Sequence, residues 1–233
     1  MISNDGKVFV VDWSHATQGN ASADVARSYL LMKMDKNDEV AEKYNIEVTF
    51  VDPDSDEATI NAAFRDNTKA MFGETIANPA LIVFDIERFA NAAHAHGVPL
   101  IVDNTFATPI NCRPFEWGAD IVVHSTTKYM DGHAVQGGGA IVDSGNFDWE
   151  KAYKETGKFA DMIEPDESYH GLKYVGDFGK AAYIVKARTQ LMRDFGCYPA
   201  AQSAFYLNLG LETLPLRMKR YCENAKKVAE FFK

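Results

Sequence analysis

Short runs of β-branched and other apolar residues recur along the chain, and each is followed by polar or glycine-containing residues. The runs are KVFVVD (7–12), IEVTFVD (46–52), KAMFGE (69–74), VPLIVDN (98–104), ADIVVHS (119–125) and GGAIVD (138–143). Runs of this length and composition predict buried strands. Helical patterns lie between several of them, most clearly over residues 79–97, where proline stands near the start and glycine at the end. This alternation predicts an α/β fold with a mainly parallel mixed sheet flanked by helices.

Apolar runs typical of strands are not found after about residue 145, and the last third of the chain has a different composition and spacing of apolar residues. Residues 145–180 are rich in Gly, Asp, Glu and Tyr, which predicts long connections with a short helix or two. Apolar residues then recur at helical spacing over 181–196, 200–214 and 214–233. Pro215 is expected in the first turn of the last of these helices.

Size and charge exclude several classes of protein. The chain has 233 residues, enough for one large domain, and a formal net charge of −9 with acidic and basic residues interleaved. No basic stripe suits a nucleic acid. No apolar run reaches about eighteen residues, and the N-terminus lacks the pattern of a signal peptide, so we expect no membrane partner and a cytoplasmic location.

The three cysteines, Cys112, Cys197 and Cys222, are odd in number and widely spaced, with no CxxC pattern. We therefore expect reduced thiols and no metal site.

Two predicted strands end in residues that carry chemistry. One ends in Asp103, and another is followed by Ser125, Thr127 and Lys128. Ligands of an open parallel sheet bind at the carboxyl ends of its strands, so these groups share one crevice if the two strands are neighbours. A carboxylate, a lysine and hydroxyls match the needs of pyridoxal 5'-phosphate (PLP). The alternative is an exposed loop lysine and an aspartate that merely forms a turn.

Four segments favour the first interpretation. They are GETIANP (73–79), VDNTFATP (102–109), GADIVVHSTTKYMDGH (118–133) and GGGAIVD (137–143). With their order and spacing, the chain from about residue 45 onward resembles the Cys/Met-metabolism family of PLP enzymes, the cystathionine γ-synthase-like group. The resemblance implies part of the large domain of a type I PLP transferase.

The resemblance also implies roles for individual residues. Lys128 matches the lysine that binds PLP covalently, and Asp103 matches the partner of the pyridine nitrogen. Ser125 and Thr127 match the hydroxyls that hold the phosphate. Asn78 matches an asparagine near the ring oxygen.

Thr105 matches a position beside the cofactor ring. Trp13 has two interpretations, since it either stacks on that ring or lies in the core. His124 is expected to be a packed or hydrogen-bonded strand residue, and His94 and His96 to be histidines of a helix end.

Within the family, residues 164–174, 188–196 and 209–231 look most like the O-acetylhomoserine sulfhydrylases. Such an enzyme converts O-acetyl-L-homoserine and sulfide or a thiol to homocysteine or methionine and acetate. The implied partners are a small amino-acid substrate and a sulfur donor, and the family implies a homo-oligomer, commonly a tetramer. Lys128 would then also carry protons.

The resemblance leaves residues 1–45 as an atypical N-terminal segment, 46–213 as the PLP-binding core and 214–233 as the start of a linking helix. We expect the chain to be truncated at both ends relative to the family. Three alternatives remain open: a related γ-lyase or γ-synthase, an inactive fragment of such an enzyme, and a nucleotide-binding α/β domain without PLP.

Overall fold

The computed structural model describes residues 8–13 and 46–233. Its central feature is a six-stranded sheet with the strand order β2-β1-β3-β4-β5-β6. The strands are β1 (Val8–Trp13), β2 (Ile46–Val51), β3 (Thr68–Glu74), β4 (Leu100–Asp103), β5 (Ile121–Ser125) and β6 (Gly139–Asp143). All six strands predicted from the apolar runs are therefore present. Of the segment 1–45, only the backbone of β1 belongs to the described part of the chain, so the side chain of Trp13 lies outside it.

The fold class is confirmed as a mixed α/β sheet flanked by helices. Strands β3, β4 and β5 are parallel neighbours. The other pairs, β1 with β2, β1 with β3 and β5 with β6, are antiparallel. The parallel part is therefore the centre of the sheet, where β4 is buried along its whole length. This is the arrangement that places three carboxyl ends side by side.

The described helices are nine in number. They are α1 (Glu57–Ala62), α2 (Ile86–Ala95), α3 (Thr108–Asn111), α4 (Trp149–Thr156), α5 (Ala160–Ile163), α6 (Tyr174–Phe178), α7 (Ala182–Lys186), α8 (Arg193–Phe195) and α9 (Ala201–Phe231). A π-helical stretch, Ala187–Met192, joins α7 to α8. The region 145–180 is thus more helical than its composition predicts. None of the helices in the described ranges combines the length and apolar character needed to span a bilayer.

The helix predicted over 79–97 was wrong in its first third, because α2 begins only at Ile86. The preceding residues turn back on the chain that leaves β3: Ile76 and Val83 form an antiparallel bridge, and the Phe84 amide donates to the carbonyl of Thr75 at 3.2 Å. The carboxylate of Asp85 then accepts from the Arg88 amide at 3.2 Å and caps the helix.

The two helices predicted over 200–214 and 214–233 are one helix, α9, and Pro215 lies inside it rather than in a first turn. A proline removes one backbone donor, but packing can hold the helix together. Here Leu214 and Met218, on either side of Pro215, form a buried cluster with Met130. The division proposed at residue 214 falls within this helix, and the domain limits stay a prediction.

Two larger apolar clusters hold the fold together. The first packs α1 and α2 against the sheet, with Ile60, Phe89 and Leu100 fully buried. The second lies among α4–α7 around Trp149 and Tyr174. These clusters leave the carboxyl edge of the parallel strands free for polar side chains.

Candidate functional site

The register of the parallel strands brings the predicted site residues to one edge. Asp103 at the end of β4 is the register partner of Glu74 at the end of β3 and of Val123 in β5. Ser125 ends β5 two residues later, and Lys128 follows in the next turn. Strands β4 and β5 are therefore neighbours, which the sequence alone could not show.

Thr105 links the ends of two strands. Its hydroxyl donates to the carboxylate of Asp103, and its amide donates to the same Oδ1 at 2.9 Å. The hydroxyl oxygen also accepts from the Ser125 amide at 2.8 Å. Asp103 is only 7% exposed. Two donors from one residue thus hold a buried carboxylate in a fixed position.

A second layer of hydrogen bonds lies behind Asp103. The side-chain oxygen of the fully buried Asn104 accepts from the Thr75 hydroxyl at 2.8 Å, and its amide group donates to the Cys112 carbonyl at 2.8 Å. The Thr75 amide donates to the carbonyl of Asp103 at 3.0 Å. These contacts join the ends of β3 and β4. Asn104 and Thr75 were not predicted as site residues. In the sequence, each is marked only as a polar residue at a strand end.

The hydroxyls of Ser125 and Thr127 lie 2.7 Å apart and are hydrogen-bonded to each other. Both residues are half-buried, whereas the side chain of Lys128, one position later, is exposed. Behind them Thr126 is buried, and its backbone and hydroxyl oxygens accept from Gln136 at 3.1 and 3.4 Å. The bonds from Gln136 thus support the segment that carries the hydroxyl pair, and the pair itself remains partly exposed.

Glycine in the QGGG segment permits this support. A Cβ atom at Gly138 would lie 3.0 Å from the Thr126 hydroxyl and 3.0 Å from the Gln136 side-chain oxygen. The Thr126 amide donates to the Gly138 carbonyl at 3.2 Å. The segment enters β6 without a turn, and its small residues let the chain lie against the site.

Asn78 lies at the same edge but stands apart from the other predicted residues. It is exposed, in the turn between Ile76 and Val83, which pair across its base. The turn is closed by a bond from the Ala77 amide to the Ile82 carbonyl at 2.9 Å.

Two of the histidines, His94 and His96, lie away from this edge. His124 is buried within β5, as expected. His94 bonds to Asp120 at 2.8 Å, and this hydrogen bond raises the pKa of the imidazole. His96 stacks on Phe64 with ring centroids 4.2 Å apart, and burial lowers its pKa. Both end α2, and neither is part of the site.

No group of three or more His, Cys, Asp and Glu side chains is placed to hold a metal ion in the ranges 8–13 and 46–233. The three cysteines, all within these ranges, form no disulfide. The polar groups at the sheet edge include the Asp103 carboxylate, the Lys128 amine and the hydroxyls of Thr105, Ser125 and Thr127.

Comparisons with known proteins identify the family. Residues 34–233 match the model of the Cys/Met metabolism PLP-dependent enzymes. The chain belongs to this family. The resemblance inferred from the sequence motifs is thereby confirmed.

Two relatives with similar sequences are both named sulfhydrylases. Sulfhydrylase FUB7 of Gibberella moniliformis is 48% identical over 172 residues, which cover 73% of this chain and 39% of that protein. The O-acetyl-L-homoserine sulfhydrylase of Leptospira meyeri is 45% identical over 197 residues, or 81% of this chain and 43% of that protein. The chain thus spans less than half the length of these relatives.

A solved structure agrees with the fold. A Campylobacter jejuni protein described as an O-acetylhomoserine (thiol)-lyase is 32% identical, with a TM-score of 0.78 over 87% of this chain and 48% of that one. That structure contains a pyridoxyl-lysine phosphate. In this relative, which has the same fold, the cofactor is therefore bound covalently to a lysine.

The residues at the sheet edge of this family member fit PLP. The converging hydroxyls of Ser125 and Thr127 are donors suited to phosphate oxygens, and the buried, oriented carboxylate of Asp103 suits a protonated ring nitrogen. The exposed amine of Lys128 is free of the packing that would keep it from a carbonyl carbon. Ser125 and Thr127 thus suit the phosphate, Asp103 suits the ring nitrogen, and Lys128 is the nucleophile.

Proposed function

We propose that this chain is the PLP-binding part of an enzyme that replaces the acetate of O-acetyl-L-homoserine with sulfide or a thiol, giving homocysteine or methionine. The observation that carries the proposal is the convergence of Asp103, Ser125, Thr127 and Lys128 at neighbouring parallel strand ends. The sulfhydrylase names of the relatives support the choice of substrate class.

Each side chain has a part in the proposed site. Lys128 would hold PLP by a covalent link and would move protons at the substrate. Asp103 keeps the ring nitrogen protonated, and Thr105 holds that carboxylate in place. Ser125 and Thr127 donate to the phosphate. When bound, PLP supplies an electron sink that stabilises negative charge on the substrate.

Asn78 is proposed to face the ring oxygen, because its turn lies at the same edge of the sheet. The small amino-acid substrate and the sulfur donor are the proposed partners. A cytoplasmic location and a homo-oligomeric state are also proposed, to be checked by cell fractionation and analytical ultracentrifugation.

The test compares wild type with Lys128→Ala and with Lys226→Ala, which removes an exposed lysine of α9. Each protein is mixed with PLP, desalted and examined for a visible absorbance band, and then treated with borohydride so that the modified peptide can be located by mass spectrometry. We expect the band and the modified Lys128 peptide in wild type and Lys226→Ala, and neither in Lys128→Ala. An equal band in all three proteins would contradict the assignment.

A second measurement addresses the reaction. With O-acetyl-L-homoserine and sulfide, we expect homocysteine to form and acetate to be released in equal amounts. Release of an α-keto acid instead of homocysteine would identify a lyase and overturn the proposed replacement reaction.

A further inference from the structure

Helix α9 lies against the turn that follows Lys128, and the contact is between backbones. A Cβ atom placed on Gly210 would lie 2.3 Å from the carbonyl oxygen of Asp131 and 2.5 Å from that of Met130. Real Cβ atoms do not approach carbonyl oxygens this closely, so the helix reaches the turn only because this position is glycine.

Arg217 of the same helix holds the turn by its carbonyl groups. Its Nη1 donates to the Tyr129 carbonyl at 2.7 Å, and its Nη2 donates to the carbonyls of Met130 at 3.2 Å and Gly210 at 2.6 Å. Its Nε donates to the Thr213 hydroxyl at 2.9 Å. A guanidinium group has a rigid planar set of donors, and bonds from a charged donor are stronger than neutral ones.

The turn held in this way includes the backbone of Lys128. The Gly132 amide donates to the Lys128 carbonyl at 2.8 Å, and the Asp131 amide donates to the Thr126 carbonyl at 3.1 Å. A Cβ atom on Gly132 would lie 2.5 Å from Nη1 of Arg217, so this glycine makes room for the guanidinium group. Lys128 thus lies between the Ser125–Thr127 hydroxyl segment on one side and the Arg217 contacts on the other.

We propose that Arg217 is a positioning residue for Lys128. Because the side chain of Lys128 is exposed, its own packing does not fix its direction, and its backbone must. Arg217 acts through the carbonyls of Tyr129 and Met130. The inference rests on the proposed function, since it concerns the readiness of this lysine to bind PLP.

The test uses four proteins: wild type, Arg217→Lys, Arg217→Met and Arg220→Met. Arg220 is a suitable control because it lies on the same helix, is exposed and faces Glu223 at 3.9 Å. The first readout, made without PLP, is the hydrogen exchange of the amides of residues 129–132. The second is the rate at which PLP is trapped on Lys128 by borohydride, measured by peptide mass spectrometry.

In Arg217→Met we expect faster exchange at residues 129–132 and trapping slowed on the order of tenfold, since small misplacements of a reacting group reduce rates strongly. Arg217→Lys should fall between this variant and wild type, and Arg220→Met should match wild type. Faster exchange with wild-type trapping would show a merely structural contact and overturn the proposal, as would unchanged exchange. If wild type itself traps no PLP on Lys128, the proposed function fails, and the exchange result alone decides whether Arg217 holds the turn.

Discussion

Thr105 shows how one hydroxyl group can order two strand ends. It donates to Asp103 on β4 and accepts from the Ser125 amide on β5. The sequence resemblance predicts a position beside the ring, and the structure shows contacts with two other candidate residues of the site. Removing the hydroxyl leaves both partners without this bond.

We therefore expect Thr105→Val to weaken PLP binding by about tenfold or more, because an unsatisfied buried polar group costs about 1–3 kcal/mol. Thr105→Ser keeps the hydroxyl and should bind PLP within about threefold of wild type. Titration with PLP, followed by absorbance, measures both. Equal weakening in the two variants would contradict the role assigned to the hydroxyl group.

The two histidines of α2 predict opposite responses to pH. The hydrogen bond to Asp120 raises the pKa of His94, so its stabilising contribution is complete below the unfolded pKa and disappears as pH rises through the folded pKa. Burial lowers the pKa of His96, so the folded state loses stability when pH falls below the unfolded value.

The free energy of unfolding, measured with urea at about pH 5 and about pH 8.5, on either side of the usual imidazole pKa, tests this difference. His94→Gln should lose more stability relative to wild type at the lower pH. His96→Gln should compare better with wild type at the lower pH than at the higher. The same trend in both variants would sink the explanation.

The residues that could be predicted at the sheet edge are those with a local signal. Asp103, Ser125 and Lys128 each follow an apolar run and therefore had to lie at a strand end. Asn104 follows the same run as Asp103, but its role depends on contacts that the run does not show, and Arg217 has no such signal. Their contacts depend on segments 8 and about 87 positions away, at Cys112 and Met130, and no periodicity in the sequence records those distances.

At the scale of elements, strands could be predicted better than helix ends. The apolar runs gave all six strands. In β4 and β5 the reason is burial on both faces, which requires continuous apolar residues, whereas the edge strands β2 and β6 are partly exposed. The start of α2 was missed because the bridge between Ile76 and Val83 competes with helix for the same residues. The continuity of α9 through Pro215 was missed because the packing of Leu214 and Met218 overrides the local preference.

Helix α9 also yields a test of its close contact with the turn after Lys128. In an open helix, Gly→Ala stabilises by about 1 kcal/mol. At Gly210 the new methyl group would meet backbone carbonyl oxygens, so we expect Gly210→Ala to lower the free energy of unfolding by about 1–3 kcal/mol. Asn208→Ala, at an exposed position of the same helix, should be neutral or slightly stabilising. Chemical unfolding measures both, and a stabilised Gly210→Ala would contradict the contact.

At the scale of the whole molecule, the sheet with α1 and α2 and the helical region α4–α7 each have an apolar cluster. Phe159 packs against both clusters. Its ring contacts Trp149 edge-on, with centroids 5.0 Å apart, and Lys69 of β3 lies over it at 5.4 Å. Nearby, the Lys158 ammonium donates to the His96 carbonyl at 3.1 Å. These side chains join the helical region to the sheet.

Removing the ring of Phe159 should loosen this attachment more than it loosens the sheet. Since Phe159 is half-buried, we expect Phe159→Ala to lower the free energy of unfolding by about 2 kcal/mol, less than the about 3–5 kcal/mol typical of a fully buried phenylalanine. Phe195→Ala makes the same deletion at an exposed ring and should have little effect. Hydrogen exchange should accelerate in α4–α7 before it does in β4, because local opening follows the weaker contacts. Equal acceleration in both regions would mean that the two clusters open as one unit and that Phe159 is not the point where they join.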